Sequence, residues 1–353
     1  MGMLDARREV SMKVCIGYRI QEGPWGGGNS FVSSMTAALR LAGHEVVPDL
    51  ADGDVDIILM VDPRSRLANV TIGASHILRY LTFRNPRAVV VHRINECDER
   101  KKTHTVNLRL RLANYCADHT VFVGAWLREL PIWKSHPPRA SSVIRNGSDT
   151  SVFNPVGFQA WDGRGPLRLV THHWGGNWMK GFDVYTRIDA MLAEPAWHDR
   201  LAFTYIGNLP AGFRFRNVRY LEPLDGSALA DELRAHHGYV TASLNEPGGN
   251  HQNEGALCGL PLLYRSSGCL PEYCDKFGVA FDGPEDFPEA LSRYIAQYHG
   301  LAALMPTYPH TSERCTAAWI RLFENLMARR NEIVATRGIW RNPLLFAFNQ
   351  IPF

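Results

Sequence analysis

Short apolar runs alternate with amphipathic stretches along most of the chain. "MKVCIGY" (Met12 to Tyr18), "VDIILMV" from Val55, "AVVVH" from Ala88, "HTVFVG" from His119 and "SSVIRNG" from Ser141 have the length and β-branched content of buried strands. Between them lie helical periods. "FVSSMTAALRLAGHEVV" predicts a helix capped by Asn29 or Ser30 and stopped by Gly43, and "KKTHTVNLRLRLANYCA" predicts another. Strands alternating with helices predict a parallel sheet wrapped on both faces. The stretch "SDTSVFNPVGFQAWDGRGP", with Pro155, Gly157, Gly163, Gly165 and Pro166, reads as a linker, and the pattern then restarts. "LRLVTHH" from Leu167, "LAFTYIG" from Leu201, "NVRYLEP" from Asn217, "YVTASL" from Tyr239, "LPLLYR" from Leu260 and "GVAFD" from Gly278 predict strands. Helices are expected over Phe182 to Leu192 and Ser227 to His236. Two α/β units follow, 1–155 and 156–311, with a tail over 312–353 that is helical to about Arg330. The aromatic close of that tail, "IWRNPLLFAFNQIPF", is either a plain final helix or a segment docked back on the first domain; the second is the expectation.

A chain of 353 residues is long for a single domain. With 38 basic against 35 acidic residues its charge is too balanced for a nucleic-acid binder held by a basic face. No apolar run approaches the ~18 residues of a membrane span. "MGMLDARREVS" lacks the apolar core of a secretory signal and reads as a loose leader, with Met12 as an alternative start. None of the seven cysteines forms a C-x-x-C pair, which fits free thiols in a cytoplasmic protein. "LRLRLANY", with Trp126 and Trp133 nearby, is either core or a surface resting on a membrane, so membrane contact is at most peripheral.

One stretch carries chemistry. In "NEPGGNHQNEGALCGLPLLY" Glu246 and Glu254 bracket Gly248 and Gly249, between the strand "YVTASL" and a short helix stopped by Gly259 and Pro261. Ligands of open parallel sheets sit beyond the carboxyl ends of strands. A glycine-rich backbone and the helix N-terminus near Asn250 offer N–H groups to anions. Carboxylates there accept paired hydrogen bonds from the hydroxyls of a sugar or ribose. Otherwise Glu246 is a turn acid and Glu254 a solvated helix residue; spacing alone leaves both open.

"EPGGNHQNEGALCGLPLLYRSSGCLPEYC" resembles the E-x7-E region of retaining GT-B glycosyltransferases of the family 4 type, with Glu246, Gly249, Glu254, Cys258-Gly259-Leu260-Pro261 and Gly268-Cys269-Leu270-Pro271-Glu272 in order. "VIRNGSDTSVFNP", "MKGFDVY" and "PWGGGNSFVSSMTAALRLAGHEV" resemble that family's interdomain segment, lysine-bearing helix start and first glycine-rich loop. The resemblance implies a GT-B fold, two Rossmann-like domains facing across a cleft. It implies transfer of a hexosyl unit from a nucleotide sugar to a glycan, glycolipid or glycoprotein acceptor, with retention of configuration and with neither cofactor nor metal. By the same resemblance Glu246 holds sugar hydroxyls, Glu254 the ribose and Lys180 the diphosphate. His92 reaches the sugar, and Gly26, Gly27 and Gly28 bring backbone close to donor phosphates or acceptor.

The chain departs from the family at the diphosphate arginine, where "THHWGGNWMK" offers His172, His173 and Trp174. Adjacent strand residues point to opposite faces, so the two histidines are not expected to line one site together. His173, a backbone turn at Gly175-Gly176, or Arg265 is left to supply the charge. Arg93, Asn95, Glu96, Asp98 and Arg100, in "HRINECDERKK", read either as ligand-facing loop residues or as a solvated loop. The acids of "DGDVD" precede a strand and read as a turn, so no metal site is predicted. A nicotinamide-dependent oxidoreductase is the runner-up from another class, although "GPWGGGN" is not G-x-G-x-x-G at the needed tight spacing and no acid closes the second strand convincingly. A nucleotide-sugar epimerase on the same fold and a non-catalytic sugar-binding module remain as alternatives. A glycosidase would need two acids flanking the bond, about 5 to 9 Å apart, and no second acid has that claim.

Overall fold

Two parallel sheets of six strands each organise the chain. The computed structural model describes residues 11–21, 27–64 and 67–351. Gly26 and most of the leader lie outside the described residues. The first sheet holds β1 (Lys13–Ile16), β2 (Glu45–Val47), β3 (Ile57–Met60), β4 (Val89–Ile94), β5 (His119–Phe122) and β6 (Ser141–Val143), in the order β2-β1-β3-β4-β5-β6. The second holds β7 (Leu167–His173), β8 (Leu201–Gly207), β9 (Arg219–Leu221), β10 (Gly238–Thr241), β11 (Leu262–Arg265) and β12 (Gly278–Phe281), in the order β12-β11-β10-β7-β8-β9. Every residue of β3 and β4 is buried, as expected of central strands covered by helices on both faces.

The first helix, Gly27–Leu41, starts before its expected cap. Asn29 lies inside the first turn because its amide is bonded elsewhere: it accepts from Gln21 N at 2.8 Å and donates to Gln21 O at 3.0 Å. Gly43 closes this helix with φ +83, a value L side chains rarely adopt. The "DGDVD" acids form a turn pinned by Lys13, whose Nζ reaches Asp54 at 2.9 Å and Asp52 at 3.2 Å.

The chain passes between the sheets twice, and the two passages run side by side. Ser148 N donates to His310 O at 3.2 Å and Ser312 N to Ser148 O at 2.9 Å. At Gly147 the chains are so close that a Cβ would lie 2.1 Å from Thr311 O. The helix Ser312–Ala328 then lies on the first sheet's helical layer. Trp319 packs on Phe31 with ring centroids 5.5 Å apart, and Phe323 and Leu326 join a core with Val14, Met35 and Leu39. Two more helices, Arg330–Thr336 and Pro343–Phe348, follow. Arg337 binds the buried Asp118 through both carboxylate oxygens, and Ile339 is buried with Val55 and Ile58.

Among the described residues no helix is long and apolar enough to cross a membrane. Trp133 and Trp126 both make internal contacts. Trp133 is buried edge-on against Phe122, and Trp126 Nε1 donates to Pro247 O at 3.1 Å. All seven cysteines are free and buried.

Candidate active site

Each sheet has one place where the chain reverses its direction of travel. In the first it lies between β1 and β3, in the second between β7 and β10. Connections diverge there and leave a crevice at the carboxyl ends of the two strands. The loop after β10, including Glu246, Gly248 and Gly249, and the end of β7, with His172 and His173, meet at the second crevice. Opposite stands the N-terminus of the Gly27–Leu41 helix: a Cβ on Gly27 would lie 3.2 Å from Asn250 Nδ2. A Cβ on Gly28 would meet only Tyr18 Oη, at 3.8 Å. Among the described residues the buried Asn250 Oδ1 has no hydrogen-bond partner.

The backbone around Glu246 is tightly determined. Asn245 sits at φ +52, in the left-handed region that asparagine tolerates better than most residues. Gly268 sits at φ +59, and a Cβ there would lie 2.5 Å from Glu246 N, so only glycine fits beside this backbone. Cys269 N donates to Glu246 O at 2.9 Å. Lys180 arrives from a single 3-10 turn, Trp178–Lys180, which Leu244 N ties to the loop by donating to Met179 O at 2.8 Å. Lys180 Nζ lies 2.6 Å from Glu246 Oε2, and Arg100 Nε, from the first domain, lies 3.6 Å from Glu246 Oε1. Burial alone would raise the Glu246 carboxyl; Lys180 and Arg100 outweigh it and hold the group well below the usual carboxylate range. Burial draws Lys180 down from the ordinary lysine range while Glu246 opposes it.

Glu254 is anchored rather than solvated. His172 Nε2 lies 2.7 Å from Glu254 Oε2, and His172 Nδ1 lies 3.0 Å from Tyr239 Oη. His173 turns the other way, as strand alternation requires, and meets Tyr185 Oη at 2.7 Å. Both imidazoles nonetheless flank His251, with ring centroids 6.3 Å away for His172 and 4.7 Å for His173. Burial pushes His173 and His251 well below the ordinary histidine range, so both are neutral. A neutral ring bonded to Tyr185 gives His173 no charge to offer a phosphate, against that expectation.

Three further expectations change. Arg265 is bound bidentately to Asp183 at 3.0 and 2.8 Å and donates through Nε to Asp282 O, so its guanidinium is committed within its own domain. His92 is fully buried, with Nδ1 3.0 Å from Asn114 Oδ1, and burial pushes it down to about 4. Its Nε2 is buried with no hydrogen-bond partner among the described residues. Its neighbour Arg93 takes the other face, with Cζ 4.0 Å over the Phe31 ring and Nη2 donating to Asn146 Oδ1. The charged loop divides: Glu96 pairs with Arg100, whereas Asp98 turns away to cap the Val106–Ala113 helix through N–H groups of Val106 and Asn107. Gly248 packs tightly, since a Cβ would lie 2.7 Å from Val123 Cγ2, and its carbonyl accepts from Asn146 Nδ2. Gly249 O accepts from Gln252 Nε2 at 2.6 Å.

Sequence reasoning missed the residues that join the domains. Glu272 accepts from the N–H groups of Ala125 at 2.8 Å and Trp126 at 2.7 Å. Tyr273 Oη donates to Val123 O and accepts from Asn146 N, each at 2.7 Å. A glutamate and a tyrosine side by side after Gly-x-x-Pro carry no local mark of such partners. Among the described residues no three His, Cys, Asp or Glu side chains converge as metal ligands do.

No protein-family model matches the chain, and no curated protein matches it in sequence. Solved structures do match in fold. A glycosyltransferase from Rickettsia africae ESF-5 superposes with a TM-score of 0.62 at 10% identity, over 90% of this chain and 99% of that one. HepE of Anabaena in complex with UDP and glucose gives 0.61 at 12% identity, over 88% and 99%. AviGT4, a glycosyltransferase involved in avilamycin A biosynthesis, gives 0.60 at 14% identity, over 90% and 98%. At such identities the likeness establishes architecture: this chain has the two-domain GT-B fold.

Proposed function

We propose that the protein transfers a sugar from a nucleoside-diphosphate sugar to a hydroxyl of a growing glycan, glycolipid or glycoprotein. The observation that carries this is the Lys180–Glu246 pair, a buried cation and a buried carboxylate in contact at the crevice of the second sheet, opposite the N-terminus of the first helix. Structures of the same fold hold UDP-glucose, in HepE, and UDP-2-fluoroglucose, in a trehalose-6-phosphate enzyme of E. coli, which supports a nucleotide-sugar donor here.

The chemistry asks for few parts. The bond from the anomeric carbon to the phosphate oxygen breaks, its electron pair stays on the leaving diphosphate, and the ring carbon becomes electron-poor. Lys180 stabilises the leaving oxygens, and N–H groups at the start of the Gly27–Leu41 helix favour negative charge nearby. Glu246, held ionised, accepts hydroxyls of the donor sugar, and Glu254, oriented by His172, accepts the ribose hydroxyls. The acceptor oxygen attacks on the face the phosphate leaves and passes its proton to the departing oxygen, which retains configuration and needs no carboxylate base. With the diphosphate met by protein cations, turnover is expected to survive a chelator.

The test is a thermal-shift screen of UDP-, GDP-, ADP- and dTDP-sugars followed by turnover of whichever donor stabilises the fold. Release of nucleoside diphosphate with transfer to a hydroxyl acceptor is the expected result. Glycan binding with no donor bound and no turnover would mean a sugar-binding module instead.

A further inference from the structure

Lys180 and Glu246 cancel each other's charge, so the pair alone gives a departing diphosphate no net attraction. A second cation is needed, and the second domain does not offer one at this point. The end of β7 carries His172, bonded to Glu254, and His173, neutral and bonded to Tyr185. Arg265 is held by Asp183.

Arg100 of the first domain reaches the same carboxylate from the other side, 3.6 Å from the oxygen that Lys180 does not take. Among the described residues its Nε is buried with no hydrogen-bond partner, although 26% of the side chain remains exposed. The loop that carries it is built to hold it there. Asp98 accepts from Val106 N and Asn107 N at 2.9 Å each, and Asn107 Oδ1 accepts from Asp98 N at 3.1 Å. Glu96 braces Arg100 Nη1 at 3.2 Å. Across the cleft Asn245, immediately before Glu246, donates to Glu99 O at 3.3 Å. Arg100 is thus delivered to Glu246 by a fixed loop.

We infer that Arg100 is the second cation on the donor diphosphate, contributed from the opposite domain, and that Arg100 and Lys180 hold Glu246 only until a donor enters. This deepens the glycosyltransferase assignment and rests on it. Diphosphate oxygens replace the Glu246 carboxylate as the partner of both cations, and Glu246 is released to accept sugar hydroxyls. The leaving group is then fully neutralised only with both domains closed on it, which confines charge stabilisation to the occupied cleft.

Calorimetry with UDP, GDP, ADP and dTDP on the full chain tests this, using the tightest binder and the monophosphate of the same base. Arg100→Gln should weaken the diphosphate by about tenfold or more, as loss of a charge-assisted contact does, and the monophosphate far less. Arg100→Lys, which keeps the charge but not the fork, should fall between. Melting of the ligand-free variants separates this from loss of fold, and Arg100→Lys carries the test if Arg100→Gln does not fold. If the parent binds the diphosphate and Lys180→Met weakens it while both Arg100 variants bind like the parent, Arg100 is not the second cation and the glycosyltransferase assignment stands. A change confined to acceptor KM overturns the inference in the same way. If the parent binds none of the four diphosphates, the assignment itself fails and the inference with it.

Discussion

His172 Nε2 lies 2.7 Å from Glu254 Oε2, in a chain that continues through His172 Nδ1 to Tyr239 Oη. The histidine that stands near the expected arginine position is therefore bonded to the second glutamate of the motif. That places Glu254 in a defined orientation and separates its work from that of Glu246, which takes its cations from Lys180 and Arg100.

The two glutamates should part company by ligand. Glu254→Gln should weaken both the free nucleoside diphosphate and the intact donor, because both carry the ribose. Glu246→Gln should leave nucleoside diphosphate affinity at least as tight as the parent's, because it removes the carboxylate that holds Lys180 and Arg100, and should cut turnover. A hydrogen bond to a charged acceptor contributes about 1.5–3 kcal/mol, roughly ten- to a hundredfold, so calorimetry resolves the difference. Parent-like binding and turnover in both variants would leave the pair a structural turn.

Lys180→Met should lower turnover at least about tenfold and also lower the melting temperature, because it strands a buried carboxylate. Adding Glu246→Gln should restore much of the stability without restoring turnover. If the double variant is less stable than the sum of the singles, Lys180 and Glu246 are not the coupled pair their geometry indicates.

Trp319→Ala should cost about 3–5 kcal/mol by urea unfolding, the usual range for removing a buried tryptophan. The tail would lose its packing on Phe31 and Phe323. Nucleotide affinity of the folded fraction should be unchanged, since Trp319 is buried in the first domain's core. A loss below about 1 kcal/mol would mean that the tail contributes little to the first domain's core.

Stability should fall as pH drops from about 6.5 to about 4, and His92 should carry part of the slope. In the folded chain burial pushes His92 down to about 4, with Asn114 only partly opposing, against an ordinary value of 6.5. Between these values the unfolded chain binds the extra proton and the folded chain does not, so stability is full above the window and lost through it. His237 and His310, also pushed to about 4 by burial, act in the same direction. The ceiling for His92 is about 3 kcal/mol. Urea midpoints at pH 7.5 and pH 4.5 check this: His92→Gln should be less stable at the higher pH and show a shallower slope. An unchanged slope would remove His92 from the acid response.

By itself the sequence determined the elements and their class. Hydrophobic periodicity is a local property, and the runs at Lys13–Ile16, Leu167–His173 and Leu262–Arg265 became strands where the pattern placed them. The short helix after Glu246 was equally visible, because Gly259 and Pro261 stop a helix whatever surrounds it. Tertiary structure decided which side chains meet. Asn29 left its expected capping role because Gln21 happened to be near, and Arg265 was claimed by Asp183. His92 met Asn114 while Arg93 took the other face. The pairing of Arg100 with Glu246 joins positions in different domains, and the Glu272 contacts to Ala125 and Trp126 do the same. Periodicity says which face of an element is buried. Which partner lies across that face depends on how two separately formed sheets dock, and no local pattern encodes that distance.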